Sequence, residues 1–559
     1  MIGRLHYRIS ANAAKSLAAA RQLLACAALC GTVIGCAKIT ESAAPPQTSA
    51  HGVLRIGSFE DLDSLNPVLS DELFVTGVCQ FVYSGLIDYD DRGLPVPDVA
   101  LAVPTQANGL ISRDGRRITY HLRRGVLFSD GVPLTSADVK FTYDQIMNMR
   151  NNVPYRQPYD DVTAIDTPDP YTVIVHLKEP SAPFVGTFMH NGIVGAIVPK
   201  HLLGSLADLN HAAFNNHPVG SGPFIVKSWQ PGSVLDLVAN PRYWRGPPRL
   251  REIQFEIIPN QNTLLTLVRS GGIDLYFQAP ESQAAALAQA PGYHVTAVAN
   301  MNYEHIAFNC ARPPFDDRRV RRAMAFAIDW RRLQHSAYHG IGHPGMTDIS
   351  PLSWAYDPSI HDYPHDPAQA RALLDQAGWV SGPDGVRTKN GTRFSVTIAS
   401  VTGVSTRAAV EALIQSDLRG VGVEVLVHNY PANLLFAPLG ANGILASGKF
   451  DLALYGWSYT VPDPDDTSTL GPGSLPPNGV NYAFYVDARL GEWQRDARTS
   501  YDVSTRERYY AMIQRRIHDE VPIYTIVWRA NVNAVTDRLR NFKPAPAISD
   551  FWNSYEWEI

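Results

Sequence analysis

From residue 53 onward the apolar positions change their period repeatedly, and each change marks a new element. Val53 to Ile56 is a short apolar run that empties into the loop Gly57 to Ser64, with Leu65-Asn66-Pro67 as a turn signal. The spacing then becomes helical as far as Leu86. Ile118 to Leu122 (ITYHL) alternates as a half-buried strand does, and Ser129-Asp130-Gly131 supplies the turn after it. Thr135-Ser136-Ala137-Asp138 has the spacing of a capping box, so a helix is expected from there to about Met147. Tyr171 to Leu177 and Ile253 to Ile258 read as strands, and Thr263 to Ser270 as an amphipathic helix. Arg318 to Leu333 reads as one long helix ending ahead of HGIGHPG, and Asp366 to Ala377 as a helix closed by Gly378. Strands and helices alternate throughout, which predicts an α/β fold with interior sheets.

A chain of 559 residues exceeds what one hydrophobic core organises, so two or more lobes are expected. With 45% hydrophobic and 18% charged residues, its body is neither disordered nor membrane-embedded. The first 36 residues differ from the rest. Arg4, Arg8, Lys15 and Arg21 precede or flank an apolar run from Leu23 to Ile34, too short to span a bilayer comfortably, and small residues lead to Cys36. This predicts an export signal over 1–35. Val33-Ile34-Gly35-Cys36 resembles a bacterial lipobox, which implies lipidation of Cys36 and anchoring to a membrane. Residues 36–52 (CAKITESAAPPQTSAHG) are small, polar and Pro-containing, a tether before the folded body. Without the signal the net charge becomes about −9, which argues against a nucleic-acid partner. Cys79 and Cys310 remain, either as one disulfide or as two free thiols.

Sequence blocks add a resemblance. DLDSLNP (61–67), FVYSGLIDYD (81–90), YHLRRGVLFSDGVPLTSADVKFTYD (120–144), PVGSGPF (218–224), NPRYWRGPP (240–248), SGGIDL (270–275), FNCARPPFDDRRVRRAMAFAID (308–329), HDPAQARALLDQAGW (365–379) and DLALYGW (451–457) occur in this order. Together they are similar to the extracellular solute-binding family that serves dipeptide, oligopeptide and nickel importers. The resemblance implies a two-lobed, periplasmic-binding-protein-like α/β fold of type II. Lobe I would take 53–307 with 525–559, including an inserted subdomain at about 78–216, and lobe II 308–524, with chain crossings near Phe308 and Tyr524. It further implies a monomeric receptor without catalysis or cofactor, periplasmic or at the cell surface. Such a receptor captures a peptide or other small polar ligand and delivers it to an ABC permease and ATPase complex.

By position, the resemblance implies ligand contacts at Asp71 and Leu73, at Phe277 and Gln278, at Asn300 and Asn302, and at Trp457, Ser458, Tyr459 and Thr460. Peptide binders of the family commonly place an Asp three residues after that Trp, paired with the ligand ammonium, where this chain has Thr460. Burying an ammonium without a carboxylate is costly, which brings Asp463 or Asp465 forward as the substitute. Likewise Leu454 stands where some oligopeptide binders carry an arginine. The ligand is therefore read as a peptide, with an oligosaccharide or other polar solute as the alternative. An exported hydrolase or chaperone on the same fold is the reading from another class.

Other patterns carry less. Gly340-Ile341-Gly342-His343-Pro344-Gly345 has dinucleotide-loop spacing but follows a helix and holds a proline where a helix should begin. His335, His339 and His343 are spaced by four with no cysteine to complete a metal set. Asp88 to Gly93 (DYDDRG) opens like a calcium loop, but Arg92 occupies an oxygen-ligand position and Val99 that of the closing Glu, so a hairpin turn is expected. No G-x-S-x-G, H-E-x-x-H or P-loop occurs.

Overall fold

The computed structural model describes residues 52–559 apart from 71, 155, 192–193, 460–462 and 547–549. The export signal, Cys36, nearly all of the tether, Asp71 and Thr460 lie outside the described residues. Ten strands form the path of one large mixed sheet: β1 (Val53–Ser58), β2 (Phe224–Gln230), β3 (Val234–Ala239), β4 (Glu252–Ile257), β5 (Leu275–Ala279), β6 (Tyr293–Phe308), β7 (Ser395–Val401), β8 (Glu424–Tyr430), β9 (Leu452–Ser458) and β10 (Ile523–Thr536). Their spatial order is β8-β7-β9-β6-β10-β5-β1-β4-β3-β2, with the short pair His343–Pro344 added beside β10.

The sheet runs through two differently built halves. Around β1, β4 and β5 the core holds Leu54, Ile56, Phe74, Phe81, Phe255 and Phe277, and residues far along the chain, Phe551 and Trp557, complete it. Around β7 and β9 one face packs on Val320, Met324, Leu333 and Ile414, the other on Leu445, Leu490, Tyr510 and Ile513. A separate three-stranded sheet, Arg117–His121, Thr172–Leu177 and Val162–Asp169, packs with helix Ser136–Met147 beside the first core. That helix starts as its sequence requires: the Thr135 amide donates to Asp138 Oδ2 at 2.8 Å, and the capping box is complete.

One element departs from expectation. The long helix read over Arg318 to Leu333 is two helices, Arg318–Ala327 and Trp330–Tyr338. Asp329 breaks it by acting as an N-cap: its carboxylate accepts from the Arg332 amide at 2.9 Å, while its own amide donates to Asp417 Oδ2 at 3.0 Å. Periodicity continues across the break because both helices bury the same kind of apolar face against one core. Cys79 and Cys310 are free thiols, the first in the first core and the second packed against the other half.

The halves are joined by β6 and β10, which pair antiparallel from Tyr293↔Thr536 to Ala307↔Ile523. The ladder slips between Ala299↔Ala530 and Tyr303↔Trp528, so that Asn300, Met301 and Asn302 stand opposite Arg529 alone. Before this bulge the side chains of β6 pack with the first half, as Tyr293 and Val295 do; after it Tyr303 and Ala307 belong to the other. Both strands thus change cores inside their length, upstream of Phe308 and downstream of Tyr524.

Gly342, in the motif with dinucleotide spacing, has a structural task here. It adopts φ +90°, and an added Cβ would lie 2.4 Å from the Trp528 carbonyl oxygen. Gly342→Ala is expected to destabilise the protein by about 1–3 kcal/mol, since both the left-handed backbone and the close approach are violated. Gly340→Ala, with φ +71° but only the His335 ring nearby at 3.6 Å, should cost less. Urea denaturation of the two variants checks the order.

Candidate ligand-binding cleft

The bulge in β6 is held open by side chains. Asn300 Nδ2 donates to Asn531 Oδ1 at 2.7 Å, Asn531 Nδ2 donates to Asp550 Oδ2 at 2.9 Å, and Asn300 Oδ1 accepts the Asn302 amide at 2.9 Å. The Met301 carbonyl accepts the Tyr459 amide at 3.1 Å, which ties the bulge to the end of β9. The same ladder slips again between Glu304↔Val527 and His305↔Thr525, where Ile526 is extra on β10, and a further irregularity lies on the other side of β10. Between Tyr276↔Ala534 and Ala279↔Val532 the strand β5 carries two residues, Phe277 and Gln278, opposite Asn533. Gln278 sits at φ +52°, a conformation that costs a side-chain-bearing residue about 1 kcal/mol or more. Its amide is satisfied by Asn533 Oδ1 at 3.0 Å. Two asparagines of β10, Asn531 and Asn533, therefore stabilise the interruptions at Asn300–Asn302 and at Phe277–Gln278.

The expected contact residues divide into those with side chains at this seam and those with side chains in a core. Asn300 and Asn302 lie in the bulge, and Asn302 pairs with Ser458 across β6 and β9. Trp457, opposite Tyr303, is half-buried at the end of β9. Phe277 packs its ring into the first core, with centroids 4.7 Å from Phe551 and 6.2 Å from Phe74, so only its backbone faces the bulge. Leu73 opens helix Leu73–Val82, whose Gln80 reaches the same region: Gln80 Oε1 accepts the Phe551 amide at 3.1 Å. Tyr459 stacks on Tyr303 at 5.8 Å, and its hydroxyl donates to Asp348 Oδ2 at 3.5 Å. Asp463 is engaged: Arg506 Nη2 donates to its Oδ1 at 2.8 Å, and the guanidinium lies over the Trp354 and Tyr510 rings. Asp465 caps Thr467, accepting its amide at 3.1 Å.

Beside Trp457 lies a cavity of about 10 Å³, room for no more than a water molecule, lined by Tyr303, His305, Tyr455, Trp457, Leu470 and Ile523, among others. His305 is 3% exposed and its Nδ1 finds no hydrogen-bond partner among the described residues. Burial, helped by the Arg407 charge, pushes its imidazole down to about 3, so the pocket wall is neutral. Deeper in, Asp348 and Asp466 are both 0% exposed. Burial pushes Asp348 up to about 6, and burial with the Asp348 charge raises Asp466 well above the usual carboxylate range, so the two hold a proton between them.

Sequence reasoning did not find Asn531, Asn533 or Asp550. The first two stand two apart in the apolar run of β10, on one strand face, which is the signal they offered. Asp550 is 6% exposed, with Oδ1 lacking a partner among the described residues, and burial pushes it up to about 7. A carboxyl raised on folding binds more protons in the folded state than in the unfolded one. Its destabilising effect is absent at low pH and grows as pH rises from about 4 to about 7. Asp550→Asn should therefore raise the thermal midpoint by a few degrees at pH 8 and lose that advantage by pH 4, as read by calorimetry across the range.

Comparison with known proteins bears on this geometry. Residues 95–474 match Bacterial extracellular solute-binding proteins, family 5 Middle. The oligopeptide-binding protein AppA of Bacillus subtilis (strain 168) is 27% identical over 525 residues, covering 92% of this chain and 93% of that protein. The glutathione-binding protein GsiB of Salmonella choleraesuis is 28% identical over 504 residues, covering 90% and 93%. The solved structure of Bacillus subtilis AppA in complex with a nonapeptide superimposes with a TM-score of 0.75 at 26% identity, covering 91% of this chain and 99% of that one. A two-lobed sheet with its ladder interrupted at the seam, together with a match over most of the chain, establishes that this protein belongs to the bacterial extracellular solute-binding proteins of family 5.

Proposed function

We propose that the protein is the peptide receptor of an ABC importer, anchored to a membrane by lipid on Cys36. It captures a short peptide between its two lobes and hands it to the permease and ATPase complex. The observation that carries this reading is the pair of ladder interruptions beside β10, at Phe277–Gln278 and at Asn300–Asn302. Irregular, half-paired backbone on either side of a seam suits an extended ligand that adds its own main-chain hydrogen bonds, as in β-augmentation. The relatives named for oligopeptide and glutathione binding support a peptide as the cargo. In this reading Asn300, Asn302, Ser458 and the backbone of Phe277 and Gln278 contact the ligand main chain, and Asp71, Leu73 and Thr460 are kept as contacts on the strength of the family resemblance alone. Trp457, half-buried at the end of β9, covers a ligand side chain.

A second reading keeps the receptor and changes the cargo to an oligosaccharide or similar polar solute. It is favoured by one observation: Asp463, the substitute for the missing ammonium partner, is already neutralised by Arg506.

Native mass spectrometry of protein purified gently from cells separates the two. A co-purified ladder of peptide masses is expected; a single non-peptide mass would reassign the cargo. Trp457→Ala is expected to weaken peptide binding about tenfold or more, measured by calorimetry, with the thermal midpoint little changed. Cys36→Ser should move the protein from the membrane fraction to the soluble one.

A further inference from the structure

The two halves also touch well away from the shared strands. The corner between helices Ala488–Thr499 and Val503–Glu520, which belongs to the half built on β7 and β9, reaches the small three-stranded sheet beside the first core. Tyr501 enters there and packs against the first core, its hydroxyl 3.0 Å from the Gly115 carbonyl oxygen and 3.1 Å from that of Ser181. The notch that receives it is shaped for it. Gly115 has φ +70°, and an added Cβ would lie 2.6 Å from Tyr501 Cε2. One turn of helix earlier, the Arg498 carbonyl accepts the Ala182 amide at 2.8 Å. The Arg498 guanidinium pairs with Glu179 and lies 3.7 Å from Asp161 Oδ2. Arg506 fixes the corner from inside by donating to the Ala497 carbonyl at 2.9 Å.

Four features distinguish this contact from incidental packing. It combines a backbone hydrogen bond, a hydroxyl shared by two carbonyls, a two-carboxylate arginine and a glycine notch, all within residues 498–501 and their partners. It joins the two halves well away from the β6–β10 pair, so it breaks as a unit if the lobes part about the bulge at Asn300–Asn302. None of its residues is among those expected to touch a ligand.

We propose that the Arg498–Tyr501 corner is a latch that holds the lobes shut, and that it sets ligand affinity without touching the ligand. This rests on the receptor reading for its affinity consequence, though not for its conformational one. If the binding-competent closed form is fractionally populated, the apparent dissociation constant is the intrinsic one divided by that fraction. A contact made only in the closed form raises the fraction and slows ligand escape. Tyr501→Phe keeps the ring in the notch and removes the hydroxyl, Arg498→Met removes the ion pairs while keeping the helix, and Gly115→Ala wedges the notch from the opposite lobe.

The test uses small-angle scattering of the unliganded protein together with peptide affinity and dissociation rate. Tyr501→Phe and Arg498→Met should each enlarge the radius of gyration without ligand, leave the liganded value unchanged, and weaken binding about three- to tenfold, mostly through faster dissociation. Gly115→Ala should act in the same direction, and combining it with Tyr501→Ala should add little. Unchanged scattering and affinity would overturn the latch. So would a lowered thermal midpoint with unchanged affinity, which marks a permanent seam. If the unaltered protein binds no peptide, the receptor reading fails, while the scattering arm still decides the latch.

Discussion

Everything in this molecule depends on two strands being shared by two cores. A β-ladder is stiff as long as its register is kept, because each hydrogen bond fixes the next. β6 and β10 keep register at both ends and give it up in the middle, at Asn300–Asn302 opposite Arg529 and again just after Glu304, where Ile526 is extra. The halves are thus joined by continuous sheet and yet have a short stretch where bending breaks few bonds. The polar groups freed there are not left to water. Asn300 Oδ1 accepts the Asn302 amide, the Met301 carbonyl accepts the Tyr459 amide, Asn531 and Asp550 anchor the Asn300 side chain in turn, and Asn533 accepts the Gln278 amide in the neighbouring bulge of β5. A buried polar chain of this kind is stable only when nearly complete. That explains why amides occupy positions of β10 that otherwise call for valine or isoleucine.

The buried acids follow the same logic with a different outcome. Asp463 and Glu304 have arginines, Arg506 and Arg407, and remain ion pairs. Asp348, Asp466 and Asp550 have amide or hydroxyl neighbours and no cation, so burial drives them toward the neutral form. These five acids therefore fall into two classes, those paired with an arginine and those whose charged form burial disfavours.

Much of this was legible beforehand. The capping box at Thr135, the strands near Val53, Ile118 and Ile253, and the hairpin at Asp88–Gly93 follow from local chemistry, which a sequence states directly. In that hairpin the Asp90 carboxylate is spent on the amides of Arg92 and Leu94 and on the Arg92 guanidinium. The family and its fold were legible because many short blocks keep their order. The break at Asp329 was not, since an N-cap acid inside a continuous apolar stripe looks like an exposed helical residue until a partner such as Asp417 is in place. The bulges were hidden for a related reason: a register slip is a property of two strands more than 200 residues apart. Phe277 shows the limit of reasoning by position, for a residue can stand at a cleft and turn its side chain away from it.

The first core is closed by residues from far down the chain. Phe551 and Trp557 lie against Phe81 with ring centroids 4.7 and 5.8 Å away, and the Phe551 amide is held by Gln80, 471 positions earlier. Contacts of such separation form late, since the entropy of closing the intervening chain must be met first. A polypeptide leaving a ribosome holds this core unfinished until Trp557 has emerged. Until then Phe81 and Phe255 lack the rings that cover them, so the first half cannot close ahead of the second.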